Sequence, residues 1–308
     1  MMGLEKLRGV VAAIVTPFDK GGALDYGVLE SLTRYLIDSG VHGIMATGGT
    51  GEFPHLSTDE RVKATKSIVA GAAGRVPVFA NTTACATADA VKLAELVAEV
   101  GAEAIISVPP YYFPLSDAAL AGYFTTLADK SPLPLFVYNN PRYTGNPLSP
   151  SLLVELLQHP NVLGLKQSES DLGQLVEVIY QIRSVRKLQK SLMTGIDSQL
   201  CAALATGADG IFSTASSIVP KEMVEIFKLA ESGDFAAARA AQLRMQPLNR
   251  FLEYDPGYVA PAKEALRMLG TEVGDPRPPL PHLTTDERQR LKAALVDLGL
   301  VKGAKQPA

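Results

Sequence analysis

The chain has 308 residues, and its 29 basic and 32 acidic side chains leave a formal net charge of −3. Hydrophobic residues make up 47% and charged residues 20%, which is ordinary for a folded protein and excludes general disorder. A near-neutral charge gives no basic surface for nucleic acid or an anionic membrane. No apolar run approaches the roughly 18 residues of a membrane span, and the N-terminus lacks the apolar segment of a signal peptide. We therefore expect a cytoplasmic protein that binds small molecules, with no nucleic-acid and no membrane partner.

Eight short apolar segments rich in β-branched residues are predicted to be strands. They are Val10–Phe18, Gly43–Gly48, Val76–Thr83, Ala104–Pro110, Leu133–Asn140, Val162–Ser168, Leu188–Gly195 and Gly210–Ser216. Segments with helical spacing lie between them. The predicted helices are Ser57–Ala70, Ala86–Val100, Ser116–Leu127, Ser151–Gln158, Leu172–Val185, Ser198–Ala205 and Pro220–Ser232. Ser57 and Glu60 have the spacing of a helix-capping box.

The strand pattern stops after Gly233, and the rest of the chain is predicted to be helical. The predicted helices are Phe235–Phe251, Pro261–Leu269 and Thr284–Leu298. Gly274–Pro281 contains four prolines and is predicted to be an extended linker.

The alternation of buried strands with helices predicts a parallel sheet covered on both faces. Eight β/α units favour a closed barrel. An open doubly wound sheet is the competing topology, but the first strand is not followed by the glycine pattern of a dinucleotide-binding turn. We predict an α/β protein with a (β/α)8 TIM barrel over residues 1–232, which carries the catalytic site, and a C-terminal helical extension over residues 233–308.

Lys166 is the most informative polar residue, because it interrupts an apolar strand at a position that should point into the barrel. A buried ammonium is costly unless it is paired or its pKa falls. A lysine with a lowered pKa is a nucleophile that forms Schiff bases with ketones. The alternatives are a lysine paired with a neighbouring strand or one that reaches solvent from the strand end. Lys190 is a weaker candidate of the same kind.

Tyr138 and the turn Thr47–Glu52 follow two other strands, and active sites of such barrels lie at the carboxyl ends of the strands. A phenol there can transfer protons or simply pack its ring. Glycine-rich backbone there can bind an anion such as a carboxylate, although a plain β/α turn explains the glycines equally well. Tyr111 and Tyr112 are either substrate contacts or contacts to a partner subunit.

The sequence contains no arrangement of residues typical of a metal site. Only Cys85 and Cys201 are present, which also excludes a disulfide framework. The four histidines, His42, His55, His159 and His282, lack metal-ligand spacing, and we interpret them as structural or surface residues.

Several short motifs together resemble the dihydrodipicolinate synthase / N-acetylneuraminate lyase family of Schiff-base aldolases and dehydratases. They are Thr16-Pro17-Phe18, Gly48-Gly-Thr-Gly-Glu52, Pro110-Tyr-Tyr112, Tyr138-Asn139, Gly164-Leu-Lys166, Gly195 and Gly207-Ala-Asp-Gly210. They occur in order over nearly the whole chain. The resemblance implies a (β/α)8 barrel with a helical tail, a homotetramer, a 2-oxo acid substrate such as pyruvate or a keto-deoxy sugar acid, and no metal or organic cofactor.

The resemblance also implies residue roles. Lys166 would be the Schiff-base lysine, Tyr138 the general acid/base, and Thr50 with the amides of Gly49 and Gly51 the site for the substrate carboxylate. The predicted substrate-binding residues are Gly49, Thr50, Gly51, Tyr112, Arg142, Tyr143, Gly195 and Phe212.

Two departures bear on the substrate. The lysine-pathway synthases have a threonine before the residue that matches Thr50, where this chain has Gly49. In those synthases an arginine five residues after the strand-five tyrosine binds the carboxylate of the aldehyde substrate; in this chain that position is Tyr143, and Arg142 lies one residue early. Two motifs, Gly48-Gly-Thr-Gly-Glu-Phe53 and Gly257-Tyr258 upstream of Lys263-Glu-Ala-Leu, resemble the 5-keto-4-deoxyglucarate dehydratase branch, whereas Tyr112 and Asn140-Pro141 look more like the aldolases and synthases.

We therefore expect a lyase that forms a Schiff base with a 2-oxo acid and dehydrates or cleaves a keto-deoxy sugar acid. The alternative within the family is 4-hydroxy-tetrahydrodipicolinate synthase, which condenses pyruvate with aspartate semialdehyde. A catalytically silent barrel that binds a 2-oxo acid is the alternative of another class.

Overall fold

The computed structural model describes residues 7–253 and 257–302. Within these ranges eight parallel strands pair in chain order and close into one barrel, which confirms the predicted fold. The strands are β1 Gly9–Ala13, β2 Gly43–Ala46, β3 Val78–Asn81, β4 Ala104–Ser107, β5 Leu135–Asn139, β6 Val162–Gln167, β7 Ser191–Thr194 and β8 Gly210–Ser213. Each strand ends earlier than predicted, because the residues that follow leave the ladder to form the loops at the barrel mouth.

Thirteen helices are present in the described ranges. They are α1 Tyr26–Asp38, α2 Thr58–Ala72, α3 Thr87–Glu99, α4 Asp117–Lys130, α5 Pro141–Thr144, α6 Pro150–Leu157, α7 Leu172–Ile179, α8 Leu200–Ala205, α9 Pro220–Glu231, α10 Phe235–Arg244, α11 Gln246–Glu253, α12 Val259–Met268 and α13 Thr285–Asp297. The capping box predicted for α2 is confirmed, because Ser57 Oγ accepts from the Glu60 amide and the Glu60 carboxylate accepts from the Ser57 amide.

Two helical predictions need correction. Helix α1 was not predicted, although Asp25 caps it and its apolar residues Leu29, Leu32 and Leu36 are buried. The predicted helix Phe235–Phe251 is two helices, α10 and α11. Pro247 explains the break, since proline lacks an amide hydrogen and its ring would clash with the carbonyl four residues earlier in a continuous helix.

The barrel interior is filled with side chains below its mouth. Phe79, Phe136 and Phe212 pack edge to face, with ring centroids 5.3 to 5.5 Å apart. Because this aromatic layer closes the interior, a ligand can enter only from the end where the strand-to-helix loops lie. Lys166 lies against the layer, its Nζ 5.7 Å from the Phe212 ring centroid.

The C-terminal helices α10 to α13 share a hydrophobic core with the β1 side of the barrel, through residues such as Leu248, Ala262 and Leu291. The predicted division at residue 232 therefore lies within continuous packing, and the outer ends of both predicted units lie outside the described residues. The segment 274–281 is anchored rather than free, because the Arg277 guanidinium binds the Glu60 carboxylate at 2.8 and 2.9 Å. No helix in the described ranges is both long enough and apolar enough to cross a membrane.

Candidate active site

Lys166 and Tyr138 face each other at the centre of the barrel mouth. They are register partners on β6 and β5, and the Lys166 Nζ lies 4.0 Å from the Tyr138 ring centroid. Only 5% of Lys166 and 7% of Tyr138 is exposed. The strand pairing alone therefore brings an amine and a phenol together in a buried position, as Schiff-base chemistry requires.

The Lys166 amine lies against the Met45 sulfur and the rings of Tyr138 and Phe212. Its Nζ lies 3.8 Å from Met45 Sδ, and among the described residues no carboxylate lies within ion-pair distance of it. Gly195 leaves the space that the lysine occupies, since a Cβ there would lie 2.8 Å from Lys166 Cε and 2.1 Å from Ser168 Oγ. The alternative of a structurally paired lysine is therefore not observed.

The Tyr138 hydroxyl is held by one neighbour. The side-chain amide of Asn140 donates a hydrogen bond to the phenol oxygen at 2.9 Å, and Asn140 is itself buried. This bond fixes the phenol at the cavity wall and leaves its proton free to be shared with a ligand.

The turn after β2 is tightly tied to the barrel. Thr16 Oγ1 donates to the Gly51 carbonyl at 2.7 Å, and Thr50 Oγ1 lies 2.8 Å from Thr214 Oγ1. Within the described ranges the backbone N–H groups of Thr50 and Gly51 donate no hydrogen bond. They supply the unpaired donors that a carboxylate site needs.

Glu52 ends this turn and forms a buried ion pair with Lys263 of α12. Lys263 Nζ lies 2.5 Å from Glu52 Oε1, and the two side chains are 1% and 0% exposed. The other carboxylate oxygen, Oε2, accepts from the Arg277 amide at 2.7 Å. Burial lowers the pKa of Lys263, and the Glu52 carboxylate opposes that shift. The ion pair thus joins the C-terminal helices to the turn.

Two cavities meet at the barrel mouth. The polar one, about 540 Å³, is lined by Lys166, Thr50 and Ser168 among others, and the apolar one, about 360 Å³, by Phe53, Tyr111 and Leu280 among others. They share the wall residues Gly49, Tyr138, Asn140, Tyr143 and Tyr258. The polar cavity is large enough for a small organic acid bound to Lys166.

Of the remaining predicted site residues, some line the polar cavity and others do not. Gly195, Arg142 and Tyr143 line the polar cavity. Tyr112 is 84% exposed and lines neither cavity of this chain, whereas Tyr111 lines the apolar one. Phe212 is buried beneath Lys166 and also lines neither, because its side chain belongs to the aromatic layer of the barrel interior.

Arg142 lines the polar cavity, but one of its donors is already engaged. Its Nη1 donates to the backbone carbonyl of Glu253, and its guanidinium lies 5.6 Å from the Tyr143 ring centroid. The predicted carboxylate-binding role would require the side chain to leave these contacts.

Lys190, the second lysine candidate, lies outside the site. It precedes β7, at the opposite end of the barrel from the mouth, and its Nζ donates to the carbonyls of His159 and Val162. Burial lowers its pKa, but its contacts are structural. Within the described ranges no group of three or more His, Cys, Asp or Glu side chains is placed to bind a metal ion.

Asp197 and Glu253 were missed by the sequence reasoning, although both line the polar cavity. Glu253 accepts hydrogen bonds from the amide and the hydroxyl of Ser198, while burial and the nearby Asp197 carboxyl raise its pKa to about 7. Burial also raises the pKa of Asp197, which accepts from Ser213 Oγ. Asp197 follows the end of β7 closely, a position that could have identified it; Glu253 carries no such local signal.

Tyr258 is another residue that the sequence did not place in the site. A Cβ built on Gly49 would lie 2.1 Å from the Tyr258 hydroxyl oxygen. The phenol therefore occupies the space that a side chain at position 49 would fill. No pattern near Tyr258 predicts this contact, because some 200 residues separate the two positions.

Comparisons with known proteins agree with this geometry. The model of the dihydrodipicolinate synthetase family matches residues 6–298. The 4-hydroxy-tetrahydrodipicolinate synthase of Methanocaldococcus jannaschii is 35% identical over 298 residues, which is 96% of this chain and 99% of that protein.

Solved structures of the same family superpose closely on this chain. The Acinetobacter baumannii dihydrodipicolinate synthase in complex with pyruvate is 32% identical, with a TM-score of 0.89 over 96% of this chain and 99% of that one. The Escherichia coli K12 prophage protein YagE, also in complex with pyruvate, is 28% identical, with a TM-score of 0.91 over 96% and 99%. The closed barrel, its buried lysine and these matches show that the chain is an enzyme of the dihydrodipicolinate synthetase family, a family of lyases.

Proposed function

We propose that this enzyme forms a Schiff base between Lys166 and a 2-oxo acid, and that pyruvate is accepted. The observation that carries the proposal is the Lys166 amine, buried without a carboxylate partner among the described residues and 4.0 Å from the Tyr138 ring centroid. The pyruvate complexes of the Acinetobacter baumannii and Escherichia coli relatives support the choice of substrate.

The residues at the mouth divide the chemistry between them. Thr50 Oγ1 and the free amides of Thr50 and Gly51 hold the carboxylate, so that the ketone carbon faces the Lys166 amine. The neutral amine attacks that carbon, the Tyr138 phenol passes protons to and from the oxygen, and water leaves. The resulting iminium withdraws electrons and acidifies the adjacent carbon, which loses a proton to give the enamine.

The fate of the enamine defines the reaction, and 4-hydroxy-tetrahydrodipicolinate synthase is the best-supported candidate. In that reaction the enamine adds to aspartate semialdehyde. The support is the similarity to proteins of that name, including the Methanoculleus marisnigri enzyme, 34% identical over 95% of this chain and 99% of that protein.

Dehydration or cleavage of a keto-deoxy sugar acid such as 5-keto-4-deoxyglucarate is the second candidate. Two observations favour it: position 49 is a glycine whose side-chain space is occupied by the Tyr258 hydroxyl, and the Arg142 guanidinium donates to the Glu253 carbonyl at the wall of the polar cavity. A carboxylate-bearing aldehyde would have to draw Arg142 away from that carbonyl.

Borohydride trapping tests the Schiff base directly. The protein is incubated with pyruvate or with 5-keto-4-deoxyglucarate, reduced, and digested for peptide mass spectrometry. We expect a reduced adduct on Lys166, none on Lys190, and none in a Lys166→Arg variant, which keeps the charge but not the nucleophile. Folded protein that gives no adduct on Lys166 with either compound would overturn the proposal.

Steady-state assays then separate the two candidates. Turnover of pyruvate with aspartate semialdehyde supports the synthase, and turnover of 5-keto-4-deoxyglucarate alone supports the dehydratase. The silent barrel would be favoured by two results together: the unaltered protein turns over neither substrate, and a Lys166→Ala variant binds the ligand with the same affinity as the unaltered protein.

A further inference from the structure

Tyr258 enters the barrel mouth from the C-terminal helices. It immediately precedes α12. A Cβ built on Gly49 would lie only 2.1 Å from its hydroxyl oxygen, too close for both to be present. The Cζ atom of the same ring lies 3.3 Å from it. In the turn that is expected to hold the substrate carboxylate, the Tyr258 hydroxyl therefore occupies the space that a side chain at position 49 would fill.

The position of Tyr258 is held from two directions. Its ring packs edge to face on Tyr143, with centroids 5.5 Å apart at 79°. Five residues later on α12, Lys263 forms the buried ion pair with Glu52, which belongs to the same turn as Gly49. The ring contact with α5 and the ion pair between α12 and the turn thus hold Tyr258 at the wall of the cavity that contains Lys166.

The Tyr258 hydroxyl has a proton to give. Within the described ranges it donates no hydrogen bond, and it faces the cavity beside Tyr138. Burial, followed by the neighbouring Tyr138 and Tyr143 phenols, raises its pKa well above the usual value for tyrosine. At neutral pH the group is a phenol; it is a weaker acid than an ordinary tyrosine, but it can still protonate an alkoxide or a departing hydroxide, which are stronger bases than a phenolate.

Building on the Schiff-base function proposed above, we propose that Tyr258 is a catalytic residue that protonates the substrate oxygen on C4, with the carboxylate carbon counted as C1. Lys166 binds C2, and the enamine carbon is C3. C4 is then the carbon that gains or loses a bond, and the wall formed by Gly49 and Tyr258 adjoins the site for C1.

The step balances for both candidate reactions. In condensation the enamine electron pair forms the C3–C4 bond, the carbonyl π pair moves to oxygen, and that oxygen takes the Tyr258 proton to become a hydroxyl. In dehydration the enamine pair forms the C3–C4 double bond, the C4–O bond breaks, and the leaving oxygen takes the proton to become water. In both, a solvent molecule returns a proton to the Tyr258 phenolate.

Tyr258→Phe removes only the hydroxyl and keeps the ring. We expect the trapped pyruvate adduct on Lys166 to form as in the unaltered protein. The kcat for the full reaction should fall roughly 100-fold, the lower end of what a general acid contributes, with KM little changed. The matched control is Tyr180→Phe, since Tyr180 is 54% exposed and belongs to neither cavity.

A rescue experiment separates a proton donor from a packing role. Tyr258→Phe removes the oxygen 2.1 Å from a Cβ at position 49 and leaves the ring carbon Cζ at 3.3 Å, so that Gly49→Ser adds a hydroxyl beside the ring, and Gly49→Ala adds the same Cβ without one. We expect the serine, and not the alanine, to restore about tenfold in kcat.

The outcomes distinguish this inference from the function on which it rests. An unchanged kcat in Tyr258→Phe, or equal activity of the two Gly49 variants in that background, would overturn the role of Tyr258 while the Lys166 adduct stands. Absence of the adduct, or of turnover of both candidate substrates, in the unaltered protein would overturn the proposed function and this role with it.

Discussion

Replacing Lys263 by methionine tests the ion pair that joins α12 to the turn after β2. The methionine keeps most of the side-chain length but leaves the Glu52 carboxylate, which is fully buried, without its counter-charge. The Lys263 ammonium also lies 4.1 Å from the Phe18 ring centroid and donates to the Asp275 carbonyl at 3.0 Å. These contacts are lost in the same variant.

The expected loss of stability is large because both side chains of the ion pair are excluded from solvent. Removing one partner of a buried ion pair costs about 3–5 kcal/mol, mostly the cost of leaving the other charge unpaired. Each kcal/mol lowers the melting temperature of a domain of this size by roughly 2–4 °C, so a decrease on the order of 10 °C is expected. The double variant Glu52→Gln/Lys263→Met no longer buries an unpaired charge and should recover about 1–3 kcal/mol.

Urea unfolding followed by circular dichroism measures these differences, with Lys63→Met as the control. Lys63 pairs with Asp59 on the surface, where their side chains are 58% and 71% exposed, and its loss should leave the unfolding midpoint nearly unchanged. If Lys263→Met unfolds at the same urea concentration as Lys63→Met, or if the double variant is no more stable than Lys263→Met alone, the pair does not hold the turn as described.

Two further predictions concern the polar cavity. Gly195→Ala places a Cβ 2.8 Å from Lys166 Cε and 2.1 Å from Ser168 Oγ, which displaces the lysine. Borohydride trapping with pyruvate should therefore slow at least about tenfold, while circular dichroism shows the native fold. Trapping at the rate of the unaltered protein would contradict this prediction. The Glu253 pKa is raised from 4.5 to about 7, so its stabilising effect is complete below about pH 4.5 and is lost as the pH rises to 7. Relative to Glu253→Gln, the unfolding free energy of the unaltered protein should fall over that interval, whereas parallel urea-unfolding profiles would refute the shift.

The strands and helices of the barrel are largely predictable from local sequence patterns. Eight apolar segments predicted eight strands, and the capping signal at Ser57 marked a helix start that the structure shows. Such features depend on neighbours within a few residues and are readable from the chain. Two features that differ from the prediction also have local signals: Asp25 caps α1, and Pro247 marks the break between α10 and α11.

The chemistry of the site was predictable only in part. Lys166 and Tyr138 stood out because polar residues at the ends of apolar strands are conspicuous, and the resemblance to a known family added their roles. Their contact, by contrast, follows from the β5–β6 register, which depends on how the whole barrel closes.

The other contacts at the barrel mouth are determined by the tertiary structure alone. The Tyr258 hydroxyl at Gly49 and the ion pair of Glu52 with Lys263 join positions about 200 residues apart, and such contacts leave no mark on the sequence near either partner. The exposure of Tyr112 and the burial of Phe212 are likewise results of packing. Local sequence determines which segments form strands and helices, because it sets backbone preference and burial, whereas the side chains that meet are determined by the folding of the chain around a common core.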